Sequence, residues 1–144
     1  MATGRVQHQP VAAGECATCH QPHTSAHPAL LTQAPRALCS ACHSRQAVTF
    51  GLSAHSGFQS QCAACHQPHG SDHADLLFAA TNALCDTCHD DLPHGFHPVS
   101  GNGLSCASCH APHGSANPAD LRAPGDALCL TCHDFQAPAS VSER

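Results

Sequence analysis

Six pentads of the form Cys-x-x-Cys-His punctuate the chain, with their first cysteines at Cys16, Cys39, Cys62, Cys85, Cys106 and Cys129. The steps between them are 23 residues, except for one of 21. All twelve cysteines fall inside these pentads. The pentads come in pairs. Those starting at Cys16, Cys62 and Cys106 are each followed by x-Pro-His, which places His23, His69 and His113 in one equivalent position. Those starting at Cys39, Cys85 and Cys129 each follow Ala-Leu, at Leu38, Leu84 and Leu128. A further Leu stands 15 residues after the first cysteine of each pair, at Leu31, Leu77 and Leu121. An internal repeat of this kind decides the fold before any local propensity does. Three doubled units, at about residues 8–43, 55–89 and 97–133, are read as one domain over residues 1–133. Residues 134–144 carry no motif and read as a tail.

Such a chain lacks the material for an ordinary core. Its 144 residues include no Trp, no Tyr and one Met, and aromatics are 3% of the total. Much of the 42% hydrophobic fraction is Ala and Cys, which bury little area each. A domain of this length needs large apolar side chains to offset the entropy of ordering its backbone. Eleven Pro and ten Gly break helices, and no alternation is long enough for a sheet. Cys at i and i+3 with His at i+4 share one face of a helical turn, so each pentad predicts a short helix. Pro22, Pro68 and Pro112 should end that helix after the first pentads. The segments 30–38 and 76–84 predict short helices leading into Cys39 and Cys85. The expected fold is mostly irregular, with short α-helices, little or no β-sheet, and a core supplied by something other than side chains.

The pentad itself names that something. Cys-x-x-Cys-His is the attachment sequence for c-type haem, giving two thioethers and one axial histidine. Six pentads predict six covalent haems, held by Cys16 and Cys19, Cys39 and Cys42, Cys62 and Cys65, Cys85 and Cys88, Cys106 and Cys109, and Cys129 and Cys132. Their axial histidines are His20, His43, His66, His89, His110 and His133. Porphyrins would provide the missing apolar mass, with the Leu positions covering their faces, and the haem-free chain should be largely unfolded. A disulfide framework gives no reason for His after every second Cys. With fifteen His in the chain, His after all six pairs would arise by chance roughly once in a million. Four-cysteine zinc sites fit the cysteine spacing, but they leave the histidines without a role. The absence of Lys also removes the basic surface that a zinc-ribbon nucleic-acid binder needs.

Six irons need six more ligands. The single Met is Met1, so the second ligand should also be His. The repeat selects His23, His69 and His113, together with His8, His55 and His97, which precede the first pentads by eight, seven and nine residues. His23 lies too near His20 to reach the opposite face of the same porphyrin. It is expected to serve the haem on Cys39 and Cys42, with His69 serving that on Cys85 and His113 that on Cys129. His8, His55 and His97 would then close the haems of the first pentads. His27 and His73 are equivalent to each other, but the third unit has Asn117 there, so neither is expected to be a ligand. His94 competes with His97. The match of His97-Pro98-Val99 with His8-Gln9-Pro10-Val11 favours His97.

Formal net charge is -5, from ten acidic residues and five Arg. Two propionates per haem would deepen that, which argues against nucleic acid and for cationic or dipolar redox partners. No stretch of about 18 apolar residues is present, so no transmembrane helix is expected. The opening MATGRVQHQPVAAGE lacks the apolar run of a signal peptide. Haem c is attached outside the cytoplasm, so the chain is read as a mature form, periplasmic or at the cell surface.

The pattern His-x-Pro-Val…Cys-x-x-Cys-His-x-Pro-His-Gly-Ser…Leu-Leu…Ala-Leu-Cys-x-x-Cys-His resembles the doubled-CXXCH family of multihaem cytochromes c. The resemblance covers about residues 8–133. Thr24 stands where the pattern has Gly, and Asp120 where it has the first Leu. The resemblance implies closely spaced bis-His haems that carry electrons in anaerobic or metal-reducing respiration, and some similar proteins polymerise into extracellular filaments. Multihaem enzymes leave one iron open, often marked by a Cys-x-x-Cys-Lys motif or a Tyr cross-link. This chain has no Lys, no Tyr and enough His to close every iron. An electron carrier is therefore expected rather than an enzyme, with no catalytic residue. Two forms stay open. One is a soluble periplasmic shuttle or reductase subunit. The other is the protomer of a filament, in which His8 could be lent to the next subunit.

Overall fold

The structure, a computed structural model, describes residues 4–52, 55, 61–89 and 103–134. His94, His97 and the tail from residue 135 lie outside the described residues. Regular elements are short. They are β1 (Val6–Gln7), α1 (Gln9–Ala12), α2 (Pro35–Ser40), α3 (Ser44–Thr49), β2 (Gly70–Ser71), α4 (Thr81–Asp86), α5 (Cys106–Cys109) and α6 (Asp126–Cys129), joined by single 3-10 turns. Pro sits in the first turn of α1 and α2 and of the 3-10 turns Pro28–Leu30 and Pro118–Asp120. Its fixed φ suits that position, where no amide proton is needed. The expectation of a mostly irregular chain with short helices holds.

Every pentad closes one helical turn on itself. The backbone N–H of His20, His66 and His110 donates to the carbonyl of Cys16, Cys62 and Cys106 at 2.9, 3.0 and 2.9 Å. In the second pentads His43, His89 and His133 do the same with Cys39, Cys85 and Cys129, at 2.9, 3.0 and 2.9 Å. The helices before Cys39 and Cys85 start at Pro35 and Thr81, later than the sequence predicts. The reason lies just upstream. Ala29-Leu30, Asp75-Leu76 and Ala119-Asp120 are consecutive left-handed residues, with φ between 53° and 57°. No helix runs through such a pair.

These left-handed pairs turn the chain back onto the pentad. Leu31, Leu77 and Leu121 form antiparallel bridges with His20, His66 and His110. A non-glycine residue in this conformation costs roughly 1–2 kcal/mol, so the surroundings must hold it. A serine does so in each unit. The hydroxyl of Ser25, Ser71 or Ser115 donates to the carbonyl of Leu31, Leu77 or Leu121. It also accepts the backbone N–H of His27, His73 or Asn117, at 2.9, 2.9 and 3.0 Å. Ser71 is 2% exposed. Removing its hydroxyl leaves two part-buried backbone groups without that partner, so Ser71→Ala should cost about 1–3 kcal/mol in a denaturant titration of the assembled protein. Ser25→Ala, at a half-exposed site, should cost less.

The departure at Asp120 has a local explanation. Its carboxylate accepts the backbone N–H of Ser115 at 3.3 Å, and Asp tolerates positive φ better than Leu does. It is 8% exposed.

Among the described residues no hydrophobic side chain is buried. The six recurrent leucines are only half-covered, while Val48, Leu52, Phe78 and Leu130 are largely open. These described residues alone enclose nothing apolar. What organises it is unit-to-unit docking. β1 pairs antiparallel with β2, with Val6 opposite Ser71 and Gln7 opposite Gly70, so the start of the chain lies on the second unit. Gly4 is needed for this approach. A Cβ there would fall 2.4 Å from the carbonyl carbon of Ser71, and its φ is +114°. An exposed Arg5–Asp72 ion pair at 3.5 Å adds little. Further along, α2 packs against the Cys62–Ala64 turn and α4 against α5. The Asn82 carboxamide pins the second contact by accepting the Cys106 N–H at 3.0 Å.

Candidate functional site

The histidine of each first pentad is held in one orientation. Nδ1 of His20, His66 and His110 meets the carbonyl oxygen of Ala29, Asp75 and Ala119 at 2.8, 2.7 and 2.8 Å. A carbonyl only accepts, so Nδ1 carries the proton and Nε2 is left with its lone pair facing outward. A second hydrogen bond of this kind is how ligating histidines are usually aimed. The carbonyl belongs to the first residue of each left-handed pair. The strained turn and the aim of the histidine are therefore one device, repeated three times. Little in the residue types announces it, because Ala and Leu are not left-handed formers and Asp stands at only two of the six positions, Asp75 and Asp120.

Opposite these rings stand others. His20 faces His69 with ring centroids 5.7 Å apart, and His66 faces His113 at 5.9 Å. Among the second pentads, His43 faces His8 at 6.0 Å and His89 faces His55 at 5.9 Å. Each pair joins a pentad histidine to one that the repeat had selected. Two imidazoles bound to one metal through nitrogen, at about 2 Å on each side, hold their centroids about 6 Å apart. All four pairs match that span. The gap between the rings fits a bis-His haem iron, and the cysteines beside each pair supply the covalent attachment. Among the described residues no three His, Cys, Asp or Glu converge as a bare metal ion would require.

The partners differ from those expected on sequence grounds. His69 meets His20 rather than the fourth pentad, and His113 meets His66 rather than the sixth. His8 and His55 meet the second pentad of their own unit rather than the first. Docking is the cause. β1 on β2, extended by the His8 N–H to His69 carbonyl bond at 3.3 Å, carries the x-Pro-His of unit two back onto unit one. Phe50, 5.2 Å from the His113 ring, and His55, whose Nδ1 is 3.3 Å from the Pro112 carbonyl, do likewise for unit three. His23 is exposed and is not brought to His43. His27 and His73 meet the serine clamp through their backbone N–H.

Electrostatics follow the same geometry. Burial, and after it the neighbouring His66, lowers the His113 pKa, so its nitrogen lone pair is available at neutral pH. Burial and then the thiol of Cys62 push Cys39 up to about 11, and burial and then Cys106 do the same to Cys85. Cys65 is raised by burial, then by Cys88 and Cys62. Cys39 is also within electrostatic reach of Cys19. Successive cysteine pairs, 23 or 21 residues apart in sequence, thus approach one another in series, from the first pentad to the fifth.

Among the described residues no helix is long and apolar enough to cross a membrane. No curated protein matches the chain significantly. The family model for the doubled CXXCH motif matches residues 8–48, 55–94 and 97–138, the same three units that the pentads delimit. The chain belongs to the doubled-CXXCH family and is a multihaem c-type cytochrome, an electron-transfer protein that binds haem c covalently through its Cys-x-x-Cys-His pentads.

Proposed function

We propose that the chain carries six covalent bis-His c-type haems arranged as a closely spaced wire, outside the cytoplasm, and serves anaerobic respiration or extracellular electron transfer. The observation that supports this best is the set of four facing histidine pairs at 5.7–6.0 Å, each drawing its second ring from the ligands the repeat selects. Bound there, haem iron would cycle between ferric and ferrous states. The chain's own part is to fix each iron between two neutral imidazoles, to aim three of them through the left-handed carbonyls, and to bring successive cysteine pairs together. With both axial positions filled by protein, no iron is left for substrate, which favours a carrier over an enzyme. Partners would be redox proteins or extracellular acceptors, and the acidic charge suits cationic ones.

A pyridine haemochrome assay combined with intact mass should count six haems. A smaller number would break the scheme. Bis-His ligation also predicts potentials lower than those of His/Met cytochromes, and six potentials well above zero in a redox titration would contradict it. His97 lies outside the described residues, but its repeat position matches that of His8 and His55. His97→Ala should therefore turn one haem high-spin, and an unchanged low-spin spectrum would move that ligand to His94.

A further inference from the structure

We propose that unit three, through its turn at Ala111–Gly114, sets the His55 ring across that of His89. The haem on Cys85 and Cys88 thereby gains the highest potential of the four sites closed by facing rings. This rests on the bis-His reading above. The four ring pairs share almost one separation but not one angle. His8 and His43 meet at 26°, His20 and His69 at 37°, and His66 and His113 at 29°. His55 and His89 meet at 71°. An imidazole donates π density into the iron d orbital that its ring plane selects. Two near-parallel rings raise the same orbital, which then gives up an electron more easily, and ferric iron is favoured. Crossed rings raise two orbitals equally, each by less, and this lifts the potential. The near-degenerate pair also leaves the ferric ion an unquenched orbital moment, seen as a large maximum g value.

What holds His55 across His89 is a carbonyl from another unit. Nδ1 of His55 meets the Pro112 oxygen at 3.3 Å, 57 residues further on. A ring fixed through its second nitrogen is held against rotation about its bond to a metal. A tight turn presents that oxygen. The Gly114 N–H donates to the Ala111 carbonyl at 2.8 Å, which puts Pro112 at the turn position its fixed φ suits. The Pro112 carbonyl takes no part in closing the turn, so it can serve His55. Gly114 completes the turn at φ +106° and is buried. In unit two the equivalent Gly70 lies in β2 instead, paired with β1. The next residue of the turn, His113, faces His66. One dipeptide, Pro112-His113, therefore sets a ligand at each of two neighbouring sites. An electron leaving a ferrous neighbour, which becomes ferric, would settle on the fourth iron.

The test uses the haem-loaded full chain in its ferric state. Electron paramagnetic resonance should show a large-g signal beside rhombic ones, and replacing Cys85 and Cys88 by Ala should remove it. If that variant does not fold, His55→Ala gives the same assignment by converting the signal to high-spin. In a reductive titration the signal should vanish before the rhombic signals of the first three haems. Gly114→Ala, strained at this φ, should shift the signal toward the rhombic form and lower its midpoint, with six haems retained. Gly125→Ala, also at positive φ but with open space around it, should change neither readout. Rhombic signals alone in the unaltered chain would overturn the proposal. So would large-g signals that all survive the loss of Cys85 and Cys88 or of His55, or that ignore Gly114→Ala. In those cases six low-spin haems leave the wire reading standing, whereas a high-spin fourth haem in the unaltered chain defeats both.

Discussion

Blocking haem attachment should abolish the folded state altogether. The chain made without haem is expected to give a coil-like far-UV spectrum, collapsed amide dispersion in NMR, and no cooperative transition in urea. Ordering each residue costs about 1–2 kcal/mol in backbone entropy, and the return from buried apolar side chains is meagre. None is buried among the described residues. Helices of four to six residues are far below the length that sustains itself in water. The remaining bonds are local turns, with six left-handed residues to support. Porphyrin faces are the apolar surface against which Leu31, Leu77 and Leu121 can complete their burial. A haem-free chain that melts cooperatively would show that the turns and the β1–β2 contact suffice, and would overturn this account of the core.

The second large effect is a spectroscopic one with an address. His69→Ala should open the haem held by Cys16, Cys19 and His20, giving one high-spin iron that binds carbon monoxide or cyanide and titrates at a higher potential. The sequence alone would assign that loss to the haem on Cys85. Double variants separate the two. In a background lacking Cys16 and Cys19, His69→Ala should add no high-spin signal. In a background lacking Cys85 and Cys88, the signal should appear in full. The reverse pattern would restore the forward loan within a unit and dismiss the ring geometry at 5.7 Å.

How far the sequence carried depends on the physics of each feature. Cysteine spacing and the histidine that follows each pair are chemical requirements written directly as residue types, so the pentads and the haem chemistry were legible. Low aromatic content and abundant Pro and Gly made the irregular fold legible too. Which histidine faces which was not, because it depends on how units dock. That docking is carried by two backbone strands of two residues each and by a close approach at Gly4, which leave no periodic trace. The left-handed pairs were equally hidden, since residues such as Leu30 and Leu76 adopt that conformation only under the serine clamp. Ser25, Ser71 and Ser115 did recur in the alignment of units. Their equivalence was the available signal for the clamp.

The partner of His20 lies 49 residues further along the chain, and this has a consequence for how the protein is made. A chain emerging from its N-terminus presents Cys16 and Cys19 long before His69 exists to meet them. His8 and His43 stand closer, so the second haem site can be completed before the first. Ligation then runs out of sequence order, each unit staying provisional until its successor arrives. In a chain that is exported from its N-terminus, haem attached to the first pentad would hold a single axial histidine until the second unit, 49 residues on, arrives to dock.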